Sequence, residues 1–220
     1  MLPRTRYLRF AVLAGAVGLA ACAGTPQGVP DRLAQTSPQG AALVIDVRIK
    51  VPMGSGAPDP VQVFFAKIDN ADGLMQQTIV RSNHVKDGRA YLLNARPGTY
   101  VAVASVFINP GLGARTYTTY FSRAAVECTK LAVGEGEVAA MGSCLLGTST
   151  GFDRADDVQA HYKNVIAPGQ ATGVLAMGFG GPVHYLGSLT ECRADVQGRK
   201  DVLNKARGDL AGSAWATLIP

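Results

Sequence analysis

The chain has 220 residues, of which 47% are hydrophobic and 17% charged, a composition typical of a protein that folds around a core. Its formal net charge is +5, but Arg4, Arg6 and Arg9 lie in an N-terminal segment without acidic residues. Without these three, 18 of the 21 basic residues remain against 16 acidic ones. This excess is too small for a polyanion-binding surface, so the composition excludes nucleic-acid binding.

The N-terminus has the pattern of an export signal. Residues 1–9 are basic, and the twelve residues 10–21 are small and apolar. A transmembrane helix needs about 20 residues, so this run is too short to span a bilayer but suits the core of a signal peptide. We therefore predict that residues 1–21 are removed.

The residues at the end of this run are Leu19, Ala20, Ala21 and Cys22. They resemble the lipobox of bacterial envelope lipoproteins, a resemblance that implies cleavage before Cys22 and acylation of its sulfur and its new amino group. Two or three acyl chains anchor a protein without a second membrane element. Ala23 stands where Asp would signal inner-membrane retention, so the resemblance favours the outer membrane, facing the periplasm. The alternatives are an ordinary secretory signal or an uncleaved anchor, in which Cys22 has no special part.

Residues 22–40 then form a predicted lipidated cysteine and flexible tether, rich in Pro and Gly and poor in bulky apolar side chains. The eighteen residues after Cys22 reach at most roughly 60 Å when extended, at about 3.3 Å each. We expect residues 41–220 to be a single domain held at that distance from the lipid surface.

The domain begins with the clearest strand pattern of the chain. Residues 43–51 alternate, with Leu43, Ile45, Val47 and Ile49 predicted on a core and a largely polar face in water. Further strands are predicted at 61–68, 74–82 and 89–95, separated by Pro, Gly and Asp turns. A Pro97-Gly98 turn leads into another strand from Tyr100.

Residues 87–105 read DGRAYLLNARPGTYVAVAS. This stretch resembles the carboxypeptidase-regulatory or transthyretin-like sandwich, in which a strand ends in a PGxY turn and an alternating strand follows. The resemblance implies a fold and says nothing of activity.

The remaining segments complete the predicted fold. We expect a strand at 115–126, a short helix within 152–169 and a C-terminal helix over 194–210, where Val202, Ala206 and Leu210 recur at helical spacing. Trp215 and Ile219 are expected to pin the tail to the body. The prediction is a mainly β fold, an antiparallel β-sandwich with one or two peripheral helices, including the C-terminal one.

The pentapeptide at 147–151 matches the G-x-S-x-G pattern of the hydrolase nucleophile elbow, with Ser149 as the nucleophile. Its base would be His161 or His184. The elbow needs a buried parallel sheet, and the alternating strands do not predict one. We expect a strand-to-helix loop here and no catalytic site.

Three cysteines remain after Cys22, and the oxidising envelope favours one disulfide. Cys128 and Cys144 lie in neighbouring strand-like segments, which favours a bridge between them. A bridge to Cys192 is the main competitor.

The histidines and aromatic residues indicate no metal or cofactor. His84, His161 and His184 are far apart in the sequence, and there is no C-x-x-C motif. Tyr117, Tyr120 and Phe121, near Arg115 and Arg123, could form a contact patch, but strand spacing favours packing in the core.

The sequence leaves three functional hypotheses open. The first is a non-catalytic, lipid-anchored envelope protein that contacts another envelope protein. The second is a carrier or sensor that holds a small ligand between the sandwich and the C-terminal helix, and the third is a hydrolase that uses Ser149.

Overall fold

The fold is built mainly from β-strands. The computed structural model describes residues 33–51, 58–68, 73–74, 78–109, 115–170 and 181–220. The predicted signal peptide, Cys22 and the first part of the predicted tether lie outside these ranges. Residues Asp31–Pro220 form one compact unit. Within the described residues, no helix is long and apolar enough to cross a membrane.

The described residues hold ten strands and four α-helices. The strands are β1 (Ala41–Lys50), β2 (Gln62–Ile68), β3 (Thr78–Arg81), β4 (His84–Lys86), β5 (Arg89–Ala95), β6 (Gly98–Asn109), β7 (Arg115–Phe121), β8 (Leu131–Val133), β9 (Val138–Ser149) and β10 (Val183–Arg193). The helices are α1 (Arg123–Cys128), α2 (Asp157–Ile166), α3 (Val196–Asp209) and α4 (Ala214–Leu218), and a 3₁₀ turn covers Phe152–Arg154.

The strands form one continuous sheet in the order β3-β2-β6-β7-β10-β9-β1-β5-β4, with β8 paired to β6. The mainly β prediction, with its C-terminal helix, is confirmed. The sheet is mixed, however, because β1 is parallel to β9 and β7 is parallel to β10. The predicted purely antiparallel pairing is therefore wrong, since alternation along a strand reports which faces are buried and not the direction of its neighbours.

The main core lies between the two halves of this sheet. Leu43 and Ile45 of β1 share one hydrophobic cluster with Phe65 of β2 and Val101 and Val103 of β6. These strands are far apart in the sheet order, so the sheet bends until its halves face each other across the core. The structure thus resembles a sandwich in its layers although its strands belong to one sheet.

The second face of β1 is also buried, contrary to the prediction of a solvent face. Ala42 and Val44 belong to a second cluster with Val202 and Ala206 of α3 and with Trp215 of α4. Asp46, on the same face, is buried as well, and only Arg48 and Lys50 remain exposed. The C-terminal helices cover this face, as the helical spacing in α3 and the predicted role of Trp215 require.

Two glycines allow α3 to approach the sheet closely. A Cβ atom at Gly142 or at Gly198 would lie 2.3 or 2.2 Å from the carbonyl oxygen of Arg193. Gly142 also has a φ of 101°, which L side chains rarely adopt. A side chain at either position would push the start of α3 away from the end of β10.

The predicted strand at 115–126 stops early and becomes a helix. β7 ends at Phe121, and the Ser122 hydroxyl accepts a hydrogen bond from the Ala125 amide, which caps α1. Of the aromatic cluster, Tyr120 and Phe121 are fully buried, so the expectation of core packing is confirmed for them. Cys128 consequently lies at the end of a helix and not in a strand beside β9.

Because Cys128 lies at the end of α1, its disulfide partner differs from the predicted one. Cys128 is bonded to Cys192 of β10, with a Cα–Cα distance of 6.3 Å, and Cys144 is a free, buried cysteine. The favoured Cys128–Cys144 pairing is wrong, and its competitor is found. Cys144 is the cross-strand neighbour of Cys192, but burial, with a contribution from Asp46, raises the pKa of its thiol to about 12.

We predict that peptide mapping of the oxidised protein finds Cys128 linked to Cys192, and that Cys144 is alkylated only after unfolding. A buried thiol of high pKa reacts slowly because the thiolate is the nucleophile. Replacing both Cys128 and Cys192 with Ser should lower the free energy of unfolding by about 4 kcal/mol, for a loop closed over 64 residues. A Cys144→Ala variant that keeps the linked peptide is the control, and recovery of a Cys128–Cys144 peptide would contradict the pairing.

Candidate functional site

The candidate site is a cleft between the outer face of the sheet and the C-terminal end of α2, called here the α2 cleft. Its volume is about 510 Å³, within the range of small-molecule sites. The described residues that line it come from β2, β3, β6, β7, β10 and the end of α2: Gln62, Phe64, Arg81, Val106, Arg115, Thr116, Thr118, Ile166, Ala167, Gln170, Gly181, Pro182 and His184.

The strand register explains why these residues meet. Gln62 lies opposite Val106, Val106 opposite Thr118, and Thr118 opposite His184, which makes one row across β2, β6, β7 and β10. Phe64 lies opposite Arg81 in β3. Directly opposite residues of paired strands point to the same face, so the sheet presents these side chains together.

Helix α2 is fastened to the same face. Asp156 accepts a hydrogen bond from the Gln159 amide at 2.8 Å, which completes a capping box at the start of α2. The side-chain amide of Gln159 donates to the carbonyl oxygens of Tyr120 and Gly187, at 3.1 and 3.3 Å. These bonds hold α2 against β7 and β10 and so position one wall of the cleft.

His184 contributes to the cleft from a buried position, with 1% of its surface exposed. Its Nδ1 lies 3.1 Å from the Tyr120 hydroxyl, and its Nε2 has no hydrogen-bond partner among the described residues. Burial and the charge of Lys163 lower the pKa of His184, so the imidazole is neutral at neutral pH. Sequence reasoning treated His184 as a lone strand histidine, because its neighbours in the fold are distant in the chain.

The cleft is cationic and its surroundings are apolar. Arg81 and Arg115 line it, and no described lining residue is acidic. Three exposed apolar side chains lie beside lining residues in the chain or in the sheet register: Val61, Ile108 and Val165, each 45–50% exposed. Ile108 lies directly opposite the lining residue Thr116 and so on the same face of the sheet, and an exposed apolar side chain beside a cleft suits an interaction surface.

A second, smaller cleft of about 270 Å³ has a different character. It is lined by Asp46, Arg48, Ser143, Cys144, Leu145, Glu191, Arg193 and Lys205. Its charges largely pair within the protein, since Asp46 accepts from Arg48 at 3.1 Å and from Lys205 at 3.3 Å. No group of His, Cys, Asp and Glu among the described residues could hold a metal ion.

Part of the region between the sheet and the C-terminal helices, where the sequence placed a ligand, is filled by side chains. Leu210 and Trp215 are fully buried there. The smaller cleft, which Lys205 of α3 lines together with residues of β1, β9 and β10, lies between the sheet and this helix, whereas the larger cleft lies beside α2. A ligand between the sheet and the C-terminal helix stays a prediction.

A buried ion pair fastens α3 to the sheet edge. Asp209 accepts from Arg89 at 2.5 and 2.9 Å and from the Tyr91 hydroxyl. Burial alone would raise the pKa of Asp209, but the hydrogen bonds from Arg89 and Tyr91 outweigh it and lower this pKa below its usual value. The cluster of Arg89, Tyr91 and Asp209, called here the Asp209 latch, has a structural role, because its three side chains bond to one another.

Ser149 lies at the exposed end of β9. Among the described residues, no hydrogen bond joins Ser149 to His161 or His184. β9 is antiparallel to β10 and parallel only to β1, which is not the buried parallel sheet that a nucleophile elbow requires.

Comparison with known proteins yields little similarity. No family model and no curated protein matches the chain. One solved structure, (S)-allantoin synthase, aligns with 51% of this chain and 42% of its own, at 11% identity and a TM-score of 0.26. The chain thus spans less than half of that protein, and a likeness at this level carries no argument about fold or function.

We predict that Asp209→Asn lowers the free energy of unfolding by about 3 kcal/mol, because it leaves the buried Arg89 with only a 3.5 Å contact to the exposed Asp87 as counter-charge. The folded-state pKa of Asp209 is lowered, so its stabilisation is present above pH 4 and is lost as the pH falls through that pKa. The variant should therefore lose less stability than the wild type on acidification. Denaturant titrations from pH 7 to pH 3 measure both effects.

The matched control is Asp201→Asn on the same helix. Asp201 pairs with Arg193 at 2.8 Å, but both side chains are exposed, so we expect a much smaller change in stability. Equal losses in the two variants would contradict the assignment of Asp209 as the latch.

Proposed function

We propose that this chain is a non-catalytic lipoprotein of the bacterial cell envelope, anchored through Cys22, whose folded part binds another envelope protein. The pattern from Leu19 to Cys22 supports the anchor. The observation that carries the binding role is the exposed Ile108 on the sheet face that lines the α2 cleft, together with exposed Val61 and Val165 next to lining residues in the chain. These side chains lie on or beside a packed sheet, and a rigid scaffold suits recognition.

The proposed tether gives this surface its reach. With Ala23 favouring the outer membrane, the body faces the periplasm. Ala34 and Thr36 are hydrogen-bonded to Asn94 of the body, so the reach is that of the ten residues 23–32, at most roughly 33 Å at about 3.3 Å each. A partner in the periplasm or in either membrane is then accessible to the α2 cleft without a membrane-spanning element.

The anchor is tested by Cys22→Ala in cells labelled with radioactive palmitate. Cys22 is the proposed site of every acyl chain, so the variant should lose the label and move from the detergent-released membrane fraction to the soluble or unprocessed one. Cys144→Ala is the matched control and should keep both label and membrane attachment, because Cys144 is buried in the core. A Cys22→Ala protein that remains acylated and membrane-bound would refute the lipoprotein assignment.

The binding surface is tested with a photo-crosslinking amino acid placed in the lipidated protein in intact cells. We predict that position 108 or 165 captures a specific envelope protein, identified by mass spectrometry. Position 196 is the control, because Val196 is 87% exposed on α3, away from the α2 cleft. Equal capture at all three positions, or none at 108 and 165, would rule out this surface.

A second candidate function is the binding of a small ligand in the α2 cleft. The observation that favours it is the unpartnered, buried Nε2 of His184 at a cleft of ligand size. A ligand retained by the purified protein in native mass spectra would support this role.

A further inference from the structure

The α2 cleft has a charge that selects among ligands. Arg81 and Arg115 both line it, whereas no described lining residue is acidic. The second cleft has both signs of charge and neutralises them internally. An anionic group is therefore attracted to the α2 cleft and not to the second cleft.

Arg81 is held where it can meet such a group. Its guanidinium carbon lies 5.4 Å from the centre of the Phe64 ring, and the two residues are directly paired across β2 and β3. Among the described carboxylates, none forms an ion pair with Arg81. The stacked guanidinium keeps its hydrogen-bond donors, which suit a carboxylate or sulfonate.

His184 adds an imidazole nitrogen. Its Nδ1 lies 3.1 Å from the Tyr120 hydroxyl, and its Nε2 has no partner among the described residues. In the tautomer in which the hydroxyl donates to Nδ1, Nε2 carries the proton, and an oxygen of a bound ligand would accept from this buried N–H group.

The remaining lining is suited to an apolar group. Phe64, Val106, Ile166 and Pro182 contribute hydrocarbon surface to the same cleft. We propose that the α2 cleft binds a small organic anion, with its charged group toward Arg81 and its apolar body between the sheet and the end of α2. This inference deepens the second candidate function and rests on it.

The test is isothermal titration calorimetry of the full chain in a nonionic detergent, with two probes of the same ring system. 1-Naphthalenesulfonate carries the charge, 1-naphthalenemethanol does not, and titrations of detergent alone are subtracted. We expect the sulfonate to bind more tightly than the alcohol and to weaken as salt concentration rises.

Four variants locate this preference. Arg81→Gln should weaken the sulfonate about tenfold, the loss of one charge-assisted hydrogen bond. Thr116 is an exposed lining residue, so Thr116→Glu should weaken the sulfonate and Thr116→Lys strengthen it, each several-fold and without disturbing the fold. Arg96→Gln, an exposed arginine outside the cleft, should change neither probe, and the alcohol should bind all variants within about twofold.

The outcomes separate this inference from the proposals it builds on. Sulfonate binding that is equal in all variants, or absent for both probes, overturns it. If both probes bind equally and both are lost when Thr116→Trp fills the cleft, the cleft is a ligand site but its preference for anions is refuted. The anchor and the protein partner are judged by palmitate labelling and crosslinking, which these results do not affect.

Displacement of the sulfonate distinguishes two sources of an apolar anion. Alkyl carboxylates whose affinity rises from hexanoate to decanoate indicate a lipid-derived ligand. Stronger displacement by aryl carboxylates such as benzoate and naphthoate indicates a soluble aromatic acid. Failure of every carboxylate to displace the sulfonate would overturn the inference for carboxylate ligands.

Discussion

The structure depends on the burial of both faces of β1. One face, with Leu43 and Ile45, lies in the core between the two halves of the sheet, and the other, with Ala42 and Val44, lies under the C-terminal helices. A strand in this position needs cover on both sides, because exposed apolar surface costs roughly 25 cal/mol per Å². The last residues of the chain are therefore part of the domain's core and not an appendage, and the Asp209 latch holds them in place.

The two ends of β10 connect this core to the candidate site. Its last residues carry Cys192, whose disulfide ties the strand to α1, and its first residues carry His184. Asp156 joins α1 to α2, since it accepts from the Arg123 amide at 2.7 Å while it caps α2. The wall of the α2 cleft is thus fixed through a chain of covalent and hydrogen bonds from the sheet to α2, which gives the cleft a defined shape.

The two clefts illustrate how charge decides what a surface can do. In the second cleft, Asp46 is already paired with Arg48 and Lys205, so a ligand would have to displace existing bonds. In the α2 cleft, no described lining residue is acidic, Arg81 forms no ion pair with a described carboxylate, and a buried imidazole nitrogen has no partner among the described residues. The same domain therefore has one face whose polar groups serve stability and another whose groups suit recognition, next to exposed apolar side chains that suit a protein partner.

The local pattern of the sequence determined the strands from Leu43 and from Tyr100, the short helix after Phe152 and the C-terminal helix with its buried Val202, Ala206 and Leu210. It also carries the signal pattern that ends at Cys22, which stays a prediction. Only the tertiary structure decided the parallel pairings of β1 and β7, the bonding of Cys128 to Cys192, the second buried face of β1 and the meeting of Arg81, Thr118 and His184 in one cleft. The reason is that periodicity and turn residues report which side of an element is buried, whereas the partners across a sheet are set by long-range packing between segments far apart in the chain.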